Sequence, residues 1–154
     1  MWQPDKTAYL SQAIEVNMDR WKTFKEIEMD KDRTFNVIDK QYSSVLNINK
    51  IHPLKQDKIY RLVTGTDMGS IKRVWIFGSS TNNSCNIHSD IDVLVELKDQ
   101  DNPDQEEVIC QIHKRFAKVL GTDFDLILTN ELDKNKQFYE NILKTRRLVY
   151  ECPD

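Results

Sequence analysis

Val74-Trp75-Ile76-Phe77-Gly78-Ser79, then ten residues, then Asp90-Ile91-Asp92-Val93-Leu94-Val95, is the stretch that decides the fold. Its first four residues are all β-branched or aromatic, which suits a buried strand, and a glycine stops the run at once. Ile91 to Leu97 is again apolar around Asp92 and Glu96 and predicts a second strand. Asp90 and Asp92, two positions apart, then share one face, while Ile91 and Val93 point the other way. Two carboxylates side by side in a mostly apolar strand repel and are costly to desolvate. A divalent cation would neutralise both. Carboxylate oxygens are hard ligands that suit Mg²⁺, which completes its shell with phosphate oxygens and water.

Gly78 lets the backbone approach a ligand closely, and a short helix opening at Gly78-Ser79-Ser80 would turn its N–H groups and hydroxyls toward a phosphate. A phosphate cradle beside a metal site is what phosphoryl or nucleotidyl transfer needs, because that chemistry is mostly positioning and charge neutralisation. The plainer readings are a strand-ending turn and two surface aspartates on an edge strand. The run Val93-Leu94-Val95 argues against a free edge, and the turn is followed by Asp-x-Asp. A second metal, or a base for an attacking hydroxyl, asks for a third carboxylate. Asp125, between Phe124 and Leu126 in a third strand over 124–129, is favoured by its strand-interior position. Asp123 is the competitor on the same side.

Outward from these strands, Pro53 suits the first position of a helix ending near Thr64, with Gly65 as its stop. Asn102, Pro103 and Gln105 read as cap, first position and capping-box partner of another helix, with Asp104, Glu106 and Glu107 in its first turn, Lys118 in its last and Gly121 as terminator. Asn130 is read as the cap of a helix to about Lys144, and Leu148-Val149-Tyr150 as a last strand. Before Pro53, apolar residues recur at helical spacing: Leu10, Ala13, Ile14, Trp21, Phe24, Ile27, then Phe35, Ile38, Tyr42, Val45, Leu46. They predict one long or two antiparallel helices with a break near Asp30-Lys31-Asp32. The expected organisation is an N-terminal helical segment over 1–50 and a core domain over 53–154. The fold class is α+β, a mixed β-sheet with flanking helices.

The 154 residues fit one domain, and 39% hydrophobic with 31% charged residues is an ordinary globular composition. A net charge of −3 carries no basic signature, so nucleic acid is not an expected partner. No apolar run reaches membrane-spanning length and the start lacks a signal-type pattern, so the expectation is a cytoplasmic chain off the membrane. Cys85, Cys110 and Cys152 lack metal-type spacing and suit a reducing compartment. His88 precedes the aspartate pair but reads as an exposed loop residue, and His52 and His113 carry no argument. Trp2 and Trp21 read as packing, since Lys and Arg do not interleave with the aromatics.

Gly78-Ser79, Asp90-Ile91-Asp92 and Phe124-Asp125-Leu126, in this order, resemble the DNA polymerase beta-like nucleotidyltransferase superfamily, closest to its minimal, antitoxin-type nucleotidyltransferases. Leu148-Val149-Tyr150-Glu151 looks like the end of that core, and the resemblance covers about residues 54–151. It implies that Asp90 and Asp92 hold a nucleotide-bound Mg²⁺. Asp125 would bind a second ion and act as, or position, the base. Gly78 and Ser79, with Ser80 beside them, would contact the nucleotide. The implied reaction is attack of an acceptor hydroxyl on the α-phosphate of a nucleoside triphosphate, with AMP from ATP as the expected transfer. Minimal members commonly adenylylate a HEPN-type toxin, which implies a partner-protein acceptor. An antibiotic acceptor of aminoglycoside or lincosamide type, and a non-catalytic nucleotide-binding module, are the alternatives. Where similar sequences carry arginine and glycine after the Gly-Ser, this chain has Asn82 and Asn83. Lys144, Arg146 and Arg147 could replace that cation, although a basic cluster at a helix end is also ordinary dipole compensation.

Overall fold

Alternation along two strands divides the molecule into a packed side and a working side. The computed structural model describes residues 33–101, 103–132 and 136–153, with 34–154 grouped as one unit. Its sheet is built from β1 (Ile71–Phe77), β2 (Ile91–Leu97), β3 (Phe124–Leu128) and β4 (Arg147–Glu151), in the order β3-β2-β1-β4. β1 runs antiparallel to β2 and to β4, and β2 runs parallel to β3. The helices are α1 (Pro53–Gly65), α2 (Gln105–Leu120) and α3 (Gln137–Thr145). The mixed sheet and flanking helices are the expected α+β class.

On one face, Val74, Ile76, Ile91, Val93, Val95, Leu97, Phe124, Leu128 and Val149 form a continuous core with Ile59 and Leu62 of α1 and Ile112, Phe116 and Leu120 of α2. The spacing of Ile112, Phe116 and Leu120 is one helical stripe, which is why α2 lies flat on the sheet. Strand alternation sends Asp92, Leu94, Asp125 and Ile127 to the other face. There a smaller cluster forms, of Phe77, Leu94 and Ile142 with Trp75, Ile127 and Leu132 packed against it. Among the described residues, α3 is the helix that contributes to it, through Ile142.

Both predicted starts after the second strand move. α2 begins at Gln105 rather than at Pro103, with Asp104 at the cap position and no side-chain cap; Asn102 lies outside the described residues. Its end is as expected: Gly121 has φ +76° and donates its N–H to the Ala117 carbonyl at 2.9 Å. Asn130 does not cap a long helix. It sits in a single 3₁₀ turn, Thr129–Glu131, whose Glu131 carboxylate accepts the Leu128 N–H at 2.8 Å, and the α-helix waits until Gln137.

The larger correction falls on residues 35–46. Trp21 and the rest of the first apolar set lie outside the described residues, but the second set forms no α-helix. Two 3₁₀ turns, Lys40–Ser44 and Ile48–Lys50, take its place. Tyr42, Val45, Ile48 and Ile51 enter the core, while Ile38 and Leu46 stay exposed. The backbone of this stretch finds partners other than its own. The fully buried Gln56 of α1 accepts from the Ile38 N–H (3.0 Å) and donates to the carbonyls of Asn36 (2.8 Å) and Ile51 (3.0 Å). Asn47, with φ +57°, reverses the chain and donates to the Leu148 carbonyl at 2.8 Å.

α1 follows the expectation, with Pro53 first and Gly65 last. His52, which carried no argument in the sequence, is its cap: Nδ1 accepts the Leu54 N–H at 3.1 Å. No helix among the described residues is long and apolar enough to cross a membrane.

Candidate active site

Register, not proximity in sequence, brings the carboxylates together. Asp92 pairs directly with Asp125 across the parallel β2–β3 ladder, so two acidic side chains stand shoulder to shoulder on the face opposite the main core. Asp90 lies immediately before β2 and adds its charge to theirs. Burial pushes the Asp92 carboxyl up to about 6, and the charges of Asp125 and Asp90 and a hydrogen bond with Asp125 push in the same direction. Asp90 and Asp125 are exposed and Asp92 is half-buried. Asp123 stands just outside β3; its carbonyl accepts the Ile91 N–H at 3.0 Å, which fixes the parallel register.

Phe77 is the register partner of Asp92 on the other side, so the chain turns out of β1 beside that carboxylate. Gly78 makes the turn with φ +73°, and a Cβ there would fall well inside contact distance of Asp92 Oδ2. Only glycine satisfies both the backbone angle and the approach. The 3₁₀ turn Gly78–Thr81 follows, closed by Thr81 Oγ1 donating to the Gly78 carbonyl at 2.7 Å. Ser79 is half-buried on this turn. Ser80 is fully buried, its carbonyl accepts the His52 N–H at 2.7 Å, and its Oγ has no hydrogen-bond partner. The Gly78 N–H donates to Thr145 Oγ1 at 3.2 Å, and that hydroxyl donates to the Asn141 carbonyl at 2.9 Å. Sequence reading missed Thr145; no local pattern marks a helix-end threonine that meets a turn 67 residues away.

The register-paired carboxylates of Asp92 and Asp125, with Asp90 one residue before β2, are hard oxygen donors of the kind a divalent cation takes. Among the described residues no group of three His, Cys, Asp or Glu forms a ready metal cage.

The remaining sequence candidates fall as follows. Asn82 Oδ1 accepts the Ser84 N–H at 2.8 Å, an Asx turn, and Asn83 is exposed. Arg146 lies over the Trp75 ring at 5.0 Å, and Arg147 donates to the carbonyls of Lys144 and Arg146 at 3.2 and 2.9 Å. His88 is exposed, with its N–H on Asn86 Oδ1 at 2.8 Å. His113 packs on the Phe124 ring at 4.7 Å. All three cysteines are free thiols, with Cys85 buried.

Residues 57–153 match the family model described as polymerase beta, nucleotidyltransferase. No curated protein shows a significant sequence match. Among solved structures, the chain is similar to a toxin–antitoxin complex with AMP-PNP, at 18% identity over 62% of this chain and 73% of that one, with a TM-score of 0.46. It is also similar to a chain of a complex between a tri-AMPylated Shewanella oneidensis HEPN toxin and an MNT antitoxin, at 18% identity over 64% and 71%, with a TM-score of 0.42. A third is the toxin–antitoxin MntA-HepT, at 17% identity over 64% and 72%, with a TM-score of 0.42.

Proposed function

Because this chain belongs to the polymerase beta nucleotidyltransferase family, we propose that it transfers AMP from ATP to a hydroxyl of a protein acceptor, with Mg²⁺ held by Asp90, Asp92 and Asp125. That the protein is a nucleotidyltransferase follows from the family; the metal, the donor and the acceptor are our reading. The observation that carries it is the Asp92–Asp125 register pair with the Gly78 backbone pressed against Asp92 Oδ2. Metal bound there would neutralise the carboxylates and the triphosphate charge at once.

Each residue then has a task. The turn beginning at Gly78 receives the triphosphate through its backbone N–H groups and the Ser79 hydroxyl, with the buried Ser80 supporting it from behind. Thr145 holds the Gly78 N–H until phosphate arrives. Asp125, the exposed member of the pair, accepts the proton of the acceptor hydroxyl. The acceptor oxygen forms a bond to the α-phosphorus as the bond to the leaving pyrophosphate breaks. Asp125 is exposed, so an acceptor carried on another protein can reach it, and the HEPN-type partner implied by the resemblance to minimal nucleotidyltransferases is the candidate.

Calorimetric titration with ATP, GTP, CTP and UTP, each with and without Mg²⁺, tests donor and metal together. Intact-mass analysis of a HEPN-type partner after incubation tests the acceptor. Metal-dependent binding of ATP and a mass gain of one or more AMP groups are expected. Binding without metal, or no mass gain with ATP bound, would overturn the corresponding part.

A further inference from the structure

Lys55 occupies a position that two physical rules disfavour. It is in the first turn of α1, where the positive end of the helix dipole opposes a cation, and that turn holds no acidic residue. It is also only 5% exposed, in a class of side chain almost never buried without a charged partner. No ion pair to Lys55 is found among the described residues. Its ammonium donates instead to the Ser89 carbonyl at 2.6 Å. Ser89 is the residue before Asp90.

The segment between Gly78 and β2 needs such a tie. Among the described residues, its other hydrogen bonds from Ser84 to Ser89 are local. Asn82 Oδ1 and the Asn82 carbonyl take the N–H groups of Ser84 and Cys85. Asn86 Oδ1 and the Asn86 carbonyl take those of His88 and Ser89, and Ser89 Oγ accepts the Asn86 N–H at 2.9 Å. These two Asx-type turns give the loop a shape, and beyond the buried Cys85 they do not fasten its last residues to the domain. The Lys55–Ser89 bond spans 34 residues and joins the loop to α1 at the point where the chain enters β2. A charge-assisted bond is stronger than a neutral one, and it holds the end of the segment as the His52 N–H to Ser80 carbonyl bond and the buried Cys85 hold its earlier part.

We propose that Lys55 is a positioning residue for Asp90: it pins the Ser89 carbonyl and so fixes where the first carboxylate of the site stands. This rests on the reading of Asp90 as a metal ligand, yet its first consequence, a stiffened loop, does not. A residue that orients a ligand from behind costs about 10–100-fold in metal affinity or activity when it is lost.

The test compares wild type with Lys55→Met, Lys55→Arg and Lys55→Gln in the full chain. Amide hydrogen exchange without metal is read across 84–91, and Mn²⁺ affinity is read in the presence of a non-hydrolysable ATP analogue. In Lys55→Met, the amides of His88 and Ser89 should exchange at least tenfold faster while those of β2 are unchanged, and Mn²⁺ should bind about 10–100-fold more weakly. Lys55→Arg, which keeps a charged donor, should recover most of both. Lys55→Gln, too short to reach the carbonyl, should behave as the methionine variant and replaces it if that variant does not fold. Unchanged loop exchange and Mn²⁺ affinity in a folded variant, or an arginine variant no better than methionine, overturns the proposal. Failure of wild type to bind Mn²⁺ with the analogue would overturn the metal-site reading of Asp90, Asp92 and Asp125 instead, and the exchange comparison would still decide the anchor.

Discussion

Replacing Asp92 with asparagine should make the metal-free protein more stable while removing its activity. The carboxyl is pushed up to about 6 by burial and by Asp125 and Asp90, against about 3.9 in an unfolded chain. The folded state therefore holds this proton more tightly than the unfolded one. Below about pH 4 both states carry it and the group is neutral to stability; between about 4 and 6 the wild type loses stability as pH rises; above about 6 the loss is complete. Two pH units correspond to about 3 kcal/mol. Asp92 is only half-buried, so solvent screening reduces this to about 1–2 kcal/mol. Asparagine has no charge to desolvate or repel. Urea unfolding in EDTA at a series of pH values should show wild type and variant equal near pH 4 and the variant ahead by about 1–2 kcal/mol at neutrality. Added Mg²⁺ and nucleotide should stabilise wild type and not the variant. A variant less stable at neutral pH, or a gap that does not change with pH, would refute the reasoning.

Other perturbations separate the parts of the site. Gly78→Ala forces a left-handed backbone costing about 1–2 kcal/mol and drives a methyl into Asp92 Oδ2, so thermal unfolding should occur earlier and Mg²⁺-dependent transfer should fall at least tenfold. Asp125→Asn should lose about 100-fold or more in kcat, as removal of a general base does, while Asp123→Asn stays within about threefold; equal losses in steady-state assays would end the preference for Asp125. Gln56→Met leaves a buried Ile51 carbonyl without its side-chain donor and frees the 36–38 backbone, so urea unfolding should report about 2–3 kcal/mol lost with transfer kinetics unchanged at low temperature. Because Mg²⁺ competes with the proton on Asp92, calorimetric binding of the metal–nucleotide pair should weaken as pH falls through about 6 and release protons.

The elements legible in the sequence are those whose signal is local. A β-branched run stopped by glycine gave β1, though the strand begins three residues earlier, at Ile71, in a stretch too charged to mark itself. Asp-x-Asp within an apolar run gave β2, and Pro53 with Gly65 bounded α1. The preference for Asp125 over Asp123 rests on a local pattern too; the β2–β3 register pairs Asp125 with Asp92. What stayed hidden depends on partners far along the chain. The helical spacing of Phe35, Ile38, Tyr42, Val45 and Leu46 is real, but the buried amide of Gln56 draws off the backbone groups a helix would use. Thr145 and Lys55 act on backbone atoms of Gly78 and Ser89, and a hydrogen bond to a backbone atom leaves no trace in the identity of the residue bonded.

The parallel pairing of β2 with β3 also governs which changes in chain length the protein can absorb. The two strands are joined by the long crossover through α2, whose exposed approach over 98–101 can grow or shrink while the strands keep their ladder. One residue inserted or deleted inside 124–128 is different in kind. It turns Asp125 onto the core face and brings an apolar neighbour beside Asp92. Insertions and deletions compatible with catalysis should therefore gather between the strands and be absent within them, even where every side chain of the site is retained.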